Sequence, residues 1–82
     1  MRIDKFLWCT RYYKTRNMAT NACKKGHIRI NEQTAKPSRD VYPLDHIMVR
    51  KNQVNHELTV LDLPESRVGA KLVDIYRKIT TP

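Results

Sequence analysis

The positive side chains of this sequence are concentrated in its first half. Residues 1–39 carry ten Lys or Arg against two acids, a net charge of +8, whereas residues 40–82 carry six of each and are neutral. Positive charge gathered on a small domain raises the local potential and attracts a polyanion. We therefore expect the leading half to contact phosphates, as one contiguous patch, through Lys14, Arg16, Lys24, Lys25, Arg29, Lys36 and Arg39.

Neutral hydrogen-bonding side chains lie among these cations. Amides and hydroxyls bond sugars and bases, whereas cations bond mainly phosphates. A predicted helix begins at Arg16, so its free N–H groups and the positive end of its dipole would join Lys14 and Arg16 in holding a phosphate. The alternative is a basic face that only keeps the protein soluble. The neutral candidates are Asn17, Thr20, Asn21, Asn31 and Ser38.

Patterns typical of catalytic and metal sites are missing from the sequence. It has no Gly-rich phosphate loop, no close carboxylate pair, and no Ser or Cys with a matched His and acid nearby. The three His are far apart and no Cys-x-x-Cys occurs, so we predict neither a metal nor a cofactor. Cys9 and Cys23 indicate reduced, packed thiols. A non-catalytic binding protein is the prediction that follows.

The length and composition indicate one folded domain over residues 1–82. The 40% apolar content argues against disorder. No apolar run approaches the ~20 residues that a membrane span needs, and the first residues do not resemble a signal peptide. We therefore expect a cytoplasmic monomer without membrane contact.

Apolar spacing and turn residues predict the elements that position the cations. A helix is expected over residues 3–12, and a second over residues 16–25 with Thr15 as its N-cap and Gly26 after its end. Alternation over residues 27–30 predicts a strand that turns at Asn31 into residues 34–35. Residues 36–39 should form an exposed loop, because Pro37 lacks an N–H. Two further strands are expected over residues 45–51 and 54–63.

After Pro64 the apolar spacing is that of an amphipathic helix. The order of helices and strands has no βαβ alternation, which predicts an α+β fold with two helices packed on a small, mostly antiparallel sheet. Residues 1–49 would form the core motif, and residues 50–79 the supporting strands and the closing helix. The apolar positions of that helix are Val68, Leu72, Ile75, Tyr76 and Ile79.

Four side chains near the cations have two interpretations each. Trp8 is expected in the core rather than stacked on a base, whereas Tyr12 and Tyr13 fit either role equally well. His27 is expected to be an ordinary strand residue. Asp4 is expected to orient Arg2 or Lys5, or to cap the first helix, because no second group supports a catalytic role.

Several segments together resemble a known RNA-binding family. They are RIDKFLW at residues 2–8 and RYYKTR at residues 11–16, followed by Ala19, Ala22, Gly26, Ile28, Ile30, Asn31, Val41 and the KPS of residues 36–38. In order and spacing they resemble the RNA-binding domain named after small-subunit ribosomal protein four, which contains the alpha-L RNA-binding motif. Within that superfamily the chain is most similar to the bacterial ribosome-associated heat-shock protein family.

The resemblance implies an RNA surface made by the second helix and the hairpin. It assigns RNA contact to Arg2, Lys5 and Thr15 in addition to Lys14, Arg16, Lys36 and Ser38, and Arg11 belongs to the same matched segment. It also implies binding to large-subunit ribosomal RNA on free large subunits that retain a peptidyl-tRNA. Short relatives act in ribosome quality control with a partner factor.

The sequence departs from the family pattern at three places. Asn31-Glu32 replaces the usual Asn-Gly, so the turn must differ in type or hold a non-Gly residue at positive φ. Leu44 replaces the usual Gly before Asp45. The basic C-terminal tail of the longer heat-shock members is absent, so we expect weaker ribosomal RNA binding or a contact shared with a partner.

Two other functions fit parts of the sequence. A helix-turn-helix DNA-binding protein would also have a short turn before a basic second helix. A protein-interaction adaptor would use the closing helix, and its basic charge would be incidental.

Overall fold

The computed structural model describes residues 1–64, 66, 67, 69, 72 and 76–79. Within these residues, two helices precede an antiparallel sheet of five strands in the order β2-β1-β3-β4-β5. The expected α+β class, with two helices packed on a small antiparallel sheet, is confirmed. The elements are α1 (Ile3–Cys9), α2 (Arg16–Lys24), β1 (Ile28–Ile30), β2 (Gln33–Thr34), β3 (His46–Lys51), β4 (Val54–Val60) and β5 (Arg77–Ile79).

The two helices begin where the sequence predicts, but α1 is shorter than expected. Arg11 takes φ 63°, a left-handed conformation that ends the helix, and the Tyr12 N–H bonds to the Leu7 carbonyl at 2.8 Å. The N-cap of α2 is confirmed, since the Thr15 hydroxyl accepts the Met18 N–H at 3.1 Å. Gly26 follows α2 with φ 77°, a conformation that favours glycine.

One face of the sheet and one side of each helix form a single buried cluster. β1 alternates buried and exposed residues, so Ile28 and Ile30 face the core while Arg29 faces outward. Phe6 of α1 is fully buried in the same cluster. Removing such a side chain costs about 3–5 kcal/mol of stability, so this packing fixes the helices on the sheet.

The aromatic residues before α2 belong to the core, and Trp8 does not. Tyr12 and Tyr13 are 9% and 6% exposed, which decides between their two interpretations. The expectation for Trp8 is wrong: it is only partly buried and lies outside the cluster, with the Arg67 guanidinium carbon 5.6 Å from its ring centroid. Its position on α1 is turned away from the face that carries Phe6, so it does not reach the cluster.

Both hairpin turns contain consecutive non-glycine residues at positive φ. Asn31 and Glu32 have φ values of 50° and 72°, and Asn52 and Gln53 have 52° and 64°. Of the two alternatives for the first turn, a different turn type or a non-Gly residue at positive φ, the structure has the second. Leu44 takes φ 75°, a left-handed conformation that favours glycine, and the Asp45 side chain accepts the Tyr42 N–H at 2.9 Å to close that turn.

The predicted closing helix is wrong at its end. Arg77–Ile79 form strand β5, which pairs with β4 through Leu58↔Ile79 and Val60↔Arg77. An edge strand with unpaired N–H and C=O groups favours another strand beside it, and this pairing outweighs the helical spacing. Leu72 lies in a short turn, its N–H bonded to the Gly69 carbonyl at 2.9 Å. The predicted positions Val68 and Ile75 lie outside the described residues.

Candidate nucleic-acid interface

A buried carboxylate lies between two arginines at the start of the helices. Asp4 is 1% exposed, and its Oδ2 accepts hydrogen bonds from the Arg2 guanidinium at 3.1 Å and the Thr20 hydroxyl at 3.0 Å. Its Oδ1 lies 3.6 Å from the Arg16 guanidinium and has no hydrogen-bond partner. Asp4 orients Arg2, as expected, but it also links α1 to α2. We call Arg2, Asp4, Arg16 and Thr20 the Asp4 cluster.

The arginines of the Asp4 cluster are anchored on one side and open on the other. The side chains of Arg2 and Arg16 are 49% and 44% exposed, although both contact a buried oxygen. A guanidinium has five N–H donors, so each retains donors for a phosphate after pairing with one carboxylate. Anchoring reduces the rotamer entropy that each arginine would lose on binding.

The loop of residues 36–39 is attached to the start of α1. The Ile3 N–H donates to the Arg39 carbonyl at 2.7 Å, and the Val41 N–H donates to the Met1 carbonyl at 2.9 Å. A further bridge pairs Arg2 with Asp40. Because these bonds hold the loop beside Arg2, its predicted contacts lie next to the Asp4 cluster. Those contacts are the exposed residues Lys36, Ser38 and Arg39.

The start of α2 adds the remaining members of this surface. Lys14, Thr15 and Asn17 are exposed around Arg16. Thr20 is only partly exposed, and its hydroxyl oxygen lies 3.0 Å from both Asp4 Oδ2 and the Arg16 carbonyl oxygen, which share its single proton. The geometry therefore gives Thr20 a role in holding the Asp4 cluster together.

Other predicted cations gather at the opposite end of α2. Lys25 and Arg29 line a cavity of about 320 Å³, and Arg29 projects from the sheet face opposite to the core. The nine residues of α2 span about 13 Å, which separates this cavity from the Asp4 cluster. The predicted cations therefore lie in two groups, one near each end of α2, and whether they act as one contiguous patch stays a prediction. Lys24 is exposed but does not line the cavity, Lys5 is half-buried on α1, and Arg11 is exposed after it.

Three polar side chains at this cavity were not predicted from the sequence. His27, Arg50 and Asn55 line it with Lys25 and Arg29. The alternation that buries Ile47 and Val49 also turns Arg50 outward, but its position beside His27 depends on the pairing of β1 with β3.

The thiols near these cations are not reactive groups. Cys9 and Cys23 are free and buried, as expected. Burial raises the pKa of Cys23 to about 11, and the negative charge of Asp4 adds to the effect. Burial likewise raises the pKa of Cys9. Both thiols are therefore protonated at neutral pH. Across the described part of the chain, no three His, Cys, Asp or Glu residues are grouped so that they could hold a metal ion.

The family model of the S4 domain matches residues 1–51, which include α1, α2, the loop of residues 36–39 and β3. The chain belongs to the S4 domain family. The match covers the whole Asp4 cluster and most of the cavity at the other end of α2, so both groups of cations lie within the S4 domain.

This S4 domain protein has similar relatives over almost its whole length. It is 36% identical over 80 residues to a Heat shock protein 15 homolog of Aeromonas salmonicida, covering 98% of this chain but 61% of that relative. It is 36% identical over 76 residues to the RQC P-site tRNA stabilizing factor of Bacillus subtilis, covering 93% and 88% of the two chains. The sequence thus spans only about three fifths of the heat-shock relative.

A solved structure supports the same fold. The trimeric Heat Shock Protein 15 of Vibrio cholerae matches with a TM-score of 0.92 at 32% identity, over 98% of this chain and 81% of that one. In the described parts of the S4 domain protein, no helix is both long and apolar enough to cross a membrane.

Proposed function

We propose that this S4 protein is a non-catalytic binder of structured RNA that acts on large-subunit ribosomal RNA. Its targets are free large subunits that carry a stalled peptidyl-tRNA, and its role is ribosome rescue or quality control in the cytoplasm, with a quality-control factor as partner. Membership of the S4 family and the names of its relatives support this proposal.

The observation that carries the proposal is the Asp4 cluster with the loop beside it. Arg2 and Arg16 are held by one buried carboxylate and point their free donors outward, and Lys36 and Arg39 lie on the adjoining loop. An array of fixed donors suits the regularly spaced phosphates of a folded RNA better than a single small anion. Phosphate contacts position such a protein, and the shape of the RNA supplies the specificity.

The role at peptidyl-tRNA is supported by the extent of one match. The Bacillus subtilis relative, named as a factor that stabilises P-site tRNA, is covered over 88% of its length, so little of that protein lies outside the match. A domain of this size therefore suffices for the named role of that relative.

Co-sedimentation with purified large ribosomal subunits, with and without P-site tRNA, tests the proposal. If five to seven phosphates are engaged, affinity should fall about a thousandfold when salt rises fourfold. Arg16→Gln should weaken binding, whereas Arg67→Gln, which removes an arginine charge outside both groups, should not.

Two results would contradict the proposal in different ways. Stronger competition by duplex DNA than by ribosomal RNA fragments would favour a DNA-binding protein. Unchanged co-sedimentation after Lys14→Glu and Arg16→Glu together would favour the adaptor.

A further inference from the structure

The cavity at the end of α2 is lined by positive side chains from both halves of the chain. Lys25 comes from the end of α2, Arg29 from β1 and Arg50 from β3, and His27 and Asn55 complete its polar lining. Residues 40–82 carry equal numbers of basic and acidic side chains, so the charge pattern of the sequence does not assign Arg50 to a basic site. Only the pairing of the strands brings Arg50 to this cavity.

Strand pairing fixes the distance between these cations. The Arg50 N–H donates to the His27 carbonyl at 2.8 Å, and Arg50 lies opposite Asn55 in the β3–β4 ladder. Arg29 is paired with Met48, two residues from Arg50 on the same face of β3. Arg29 and Arg50 are therefore placed by the paired backbones of two strands rather than by a loop.

The charge of the cavity favours an anion. Its described lining residues include three full cations and no acid. The C-terminal end of α2 carries a partial negative charge of roughly half a unit, which three full positive charges outweigh. A neighbouring cavity lined by Arg29 and Met48 is also lined by Glu32 and Glu57, so its charges are of both signs, whereas the full charges of the first cavity are all positive. An anion is accordingly favoured on the Lys25 side of Arg29.

The cavity also continues toward α2. An adjoining cavity of about 250 Å³ shares Lys25, His27 and Arg50 and adds Asn21 and the half-exposed Met18. An amide beside an exposed apolar side chain can accept a sugar or a base next to the phosphate. The two adjoining cavities together offer cations for a phosphate and, beside them, an amide and an apolar side chain for a sugar or a base.

We propose that Lys25, Arg29 and Arg50 form a second phosphodiester site, separate from the Asp4 cluster, which holds another backbone segment of the same RNA. This inference rests on the proposed RNA-binding function. With about 13 Å between the ends of α2, the two sites would contact phosphates that are not adjacent in one strand, since successive phosphates are closer than that.

Binding of large ribosomal subunits by matched variants tests the second site. Arg50→Gln should weaken binding about five- to eightfold at 0.1 M salt and reduce the salt slope by about 0.7–0.9, the value for one phosphate contact. Arg67→Gln is the control, because it removes the same charge from another exposed arginine. Arg50→Lys should restore most of the loss, and Lys25→Gln should repeat the effect from a different element.

Nuclear magnetic resonance with small probes tests the site without ribosomes. A uridine dinucleotide with one phosphodiester should shift the amide signals of His27, Arg50 and Asn55, and uridine should not. In Arg50→Gln the dinucleotide should bind at least fivefold more weakly.

The outcomes separate this inference from the proposed function. If Arg16→Gln loses subunit binding while Arg50→Gln matches Arg67→Gln, the second site is refuted and the proposed function stands. If the wild type does not bind subunits but the dinucleotide shifts these amides, the phosphate site stands and the proposed function fails. Equal shifts with dinucleotide and uridine, or no shifts at these amides, would refute the site.

Discussion

The two ends of α2 present cations in different ways. At its start, a buried carboxylate orders Arg2 and Arg16, whereas at its end the described lining of the cavity has no acid and strand pairing alone places Arg29 and Arg50. An anchored arginine loses less entropy on binding, but part of its charge is already compensated. An unpaired cation keeps its full charge and its mobility. The start of α2 therefore favours binding in a defined geometry, and its end favours electrostatic attraction of the RNA.

The largest effect should follow from reversing charge at the start of α2. Lys14→Glu with Arg16→Glu changes four units of charge, and we expect at least a hundredfold weaker binding to large ribosomal subunits at 0.1 M salt. Co-sedimentation at several salt concentrations measures the change. A measurable loss that stays within about tenfold would show that the end of α2, rather than its start, carries most of the binding, whereas no loss at all would favour the adaptor.

Asp4→Asn shows whether Asp4 matters for RNA binding by ordering Arg2 and Arg16 or by its own negative charge, because the two effects change the affinity in opposite directions. The substitution removes a negative charge, so attraction alone predicts tighter binding, whereas loss of the anchor for Arg2 and Arg16 predicts weaker binding. We expect binding about three- to tenfold weaker, because released arginines must be ordered again by the RNA. Fluorescence anisotropy with a ribosomal RNA fragment measures it. Tighter binding would mean that Asp4 does not order the arginines.

The buried core beside α2 should become less stable at alkaline pH. Burial raises the pKa of Cys23 to about 11 and of Tyr13 to about 12, from 9.0 and 10.0. At a pH between the unfolded and the folded pKa of each group, the unfolded state has released a proton that the folded state still binds. The free energy of unfolding therefore falls as pH rises from about 9 to 12. Two pKa units on the buried Cys23 correspond to roughly 2–3 kcal/mol.

Urea unfolding at a series of pH values checks this dependence. Cys23→Ala is the control, since it should make the fall between pH 9 and 11 smaller and leave the contributions of Cys9 and Tyr13. A stability that stays constant to pH 12 would contradict the burial of these groups.

The smallest effect is expected at the hairpin that carries Arg29. Glu32→Gly introduces Asn-Gly at a turn where Glu32 has φ 72°. The substitution relieves the strain of a left-handed non-glycine residue, but it also gives the unfolded chain more conformational freedom. The first effect is larger, so we expect the protein to become more stable by about 0.5–1 kcal/mol. Thermal unfolding measures it. Lower stability would show that Glu32 makes a compensating interaction, and altered RNA affinity would place the hairpin tip within the interface.

Local sequence signals predicted the structure correctly where interactions between neighbouring residues determine it. Thr15 and Gly26 define the ends of α2 because a cap and a left-handed residue act on neighbouring backbone groups. The closing helix was predicted from spacing alone and was wrong at Arg77–Ile79, because the open edge of β4 decided that conformation. Trp8 was misplaced for a similar reason, since helical spacing does not show which neighbours a side chain will meet.

The sequence by itself determined the charge imbalance, the two helix starts, the hairpin at Asn31 and the family motifs, because these depend on composition and on interactions between neighbouring residues. Only the tertiary structure decided that the cations divide between the two ends of α2, that Asp4 joins two arginines, and that Arg50 stands beside His27. These facts depend on contacts between residues distant in the chain, such as Asp4 and Thr20, which are 16 positions apart. Such contacts form only when the burial of the common core brings the elements together.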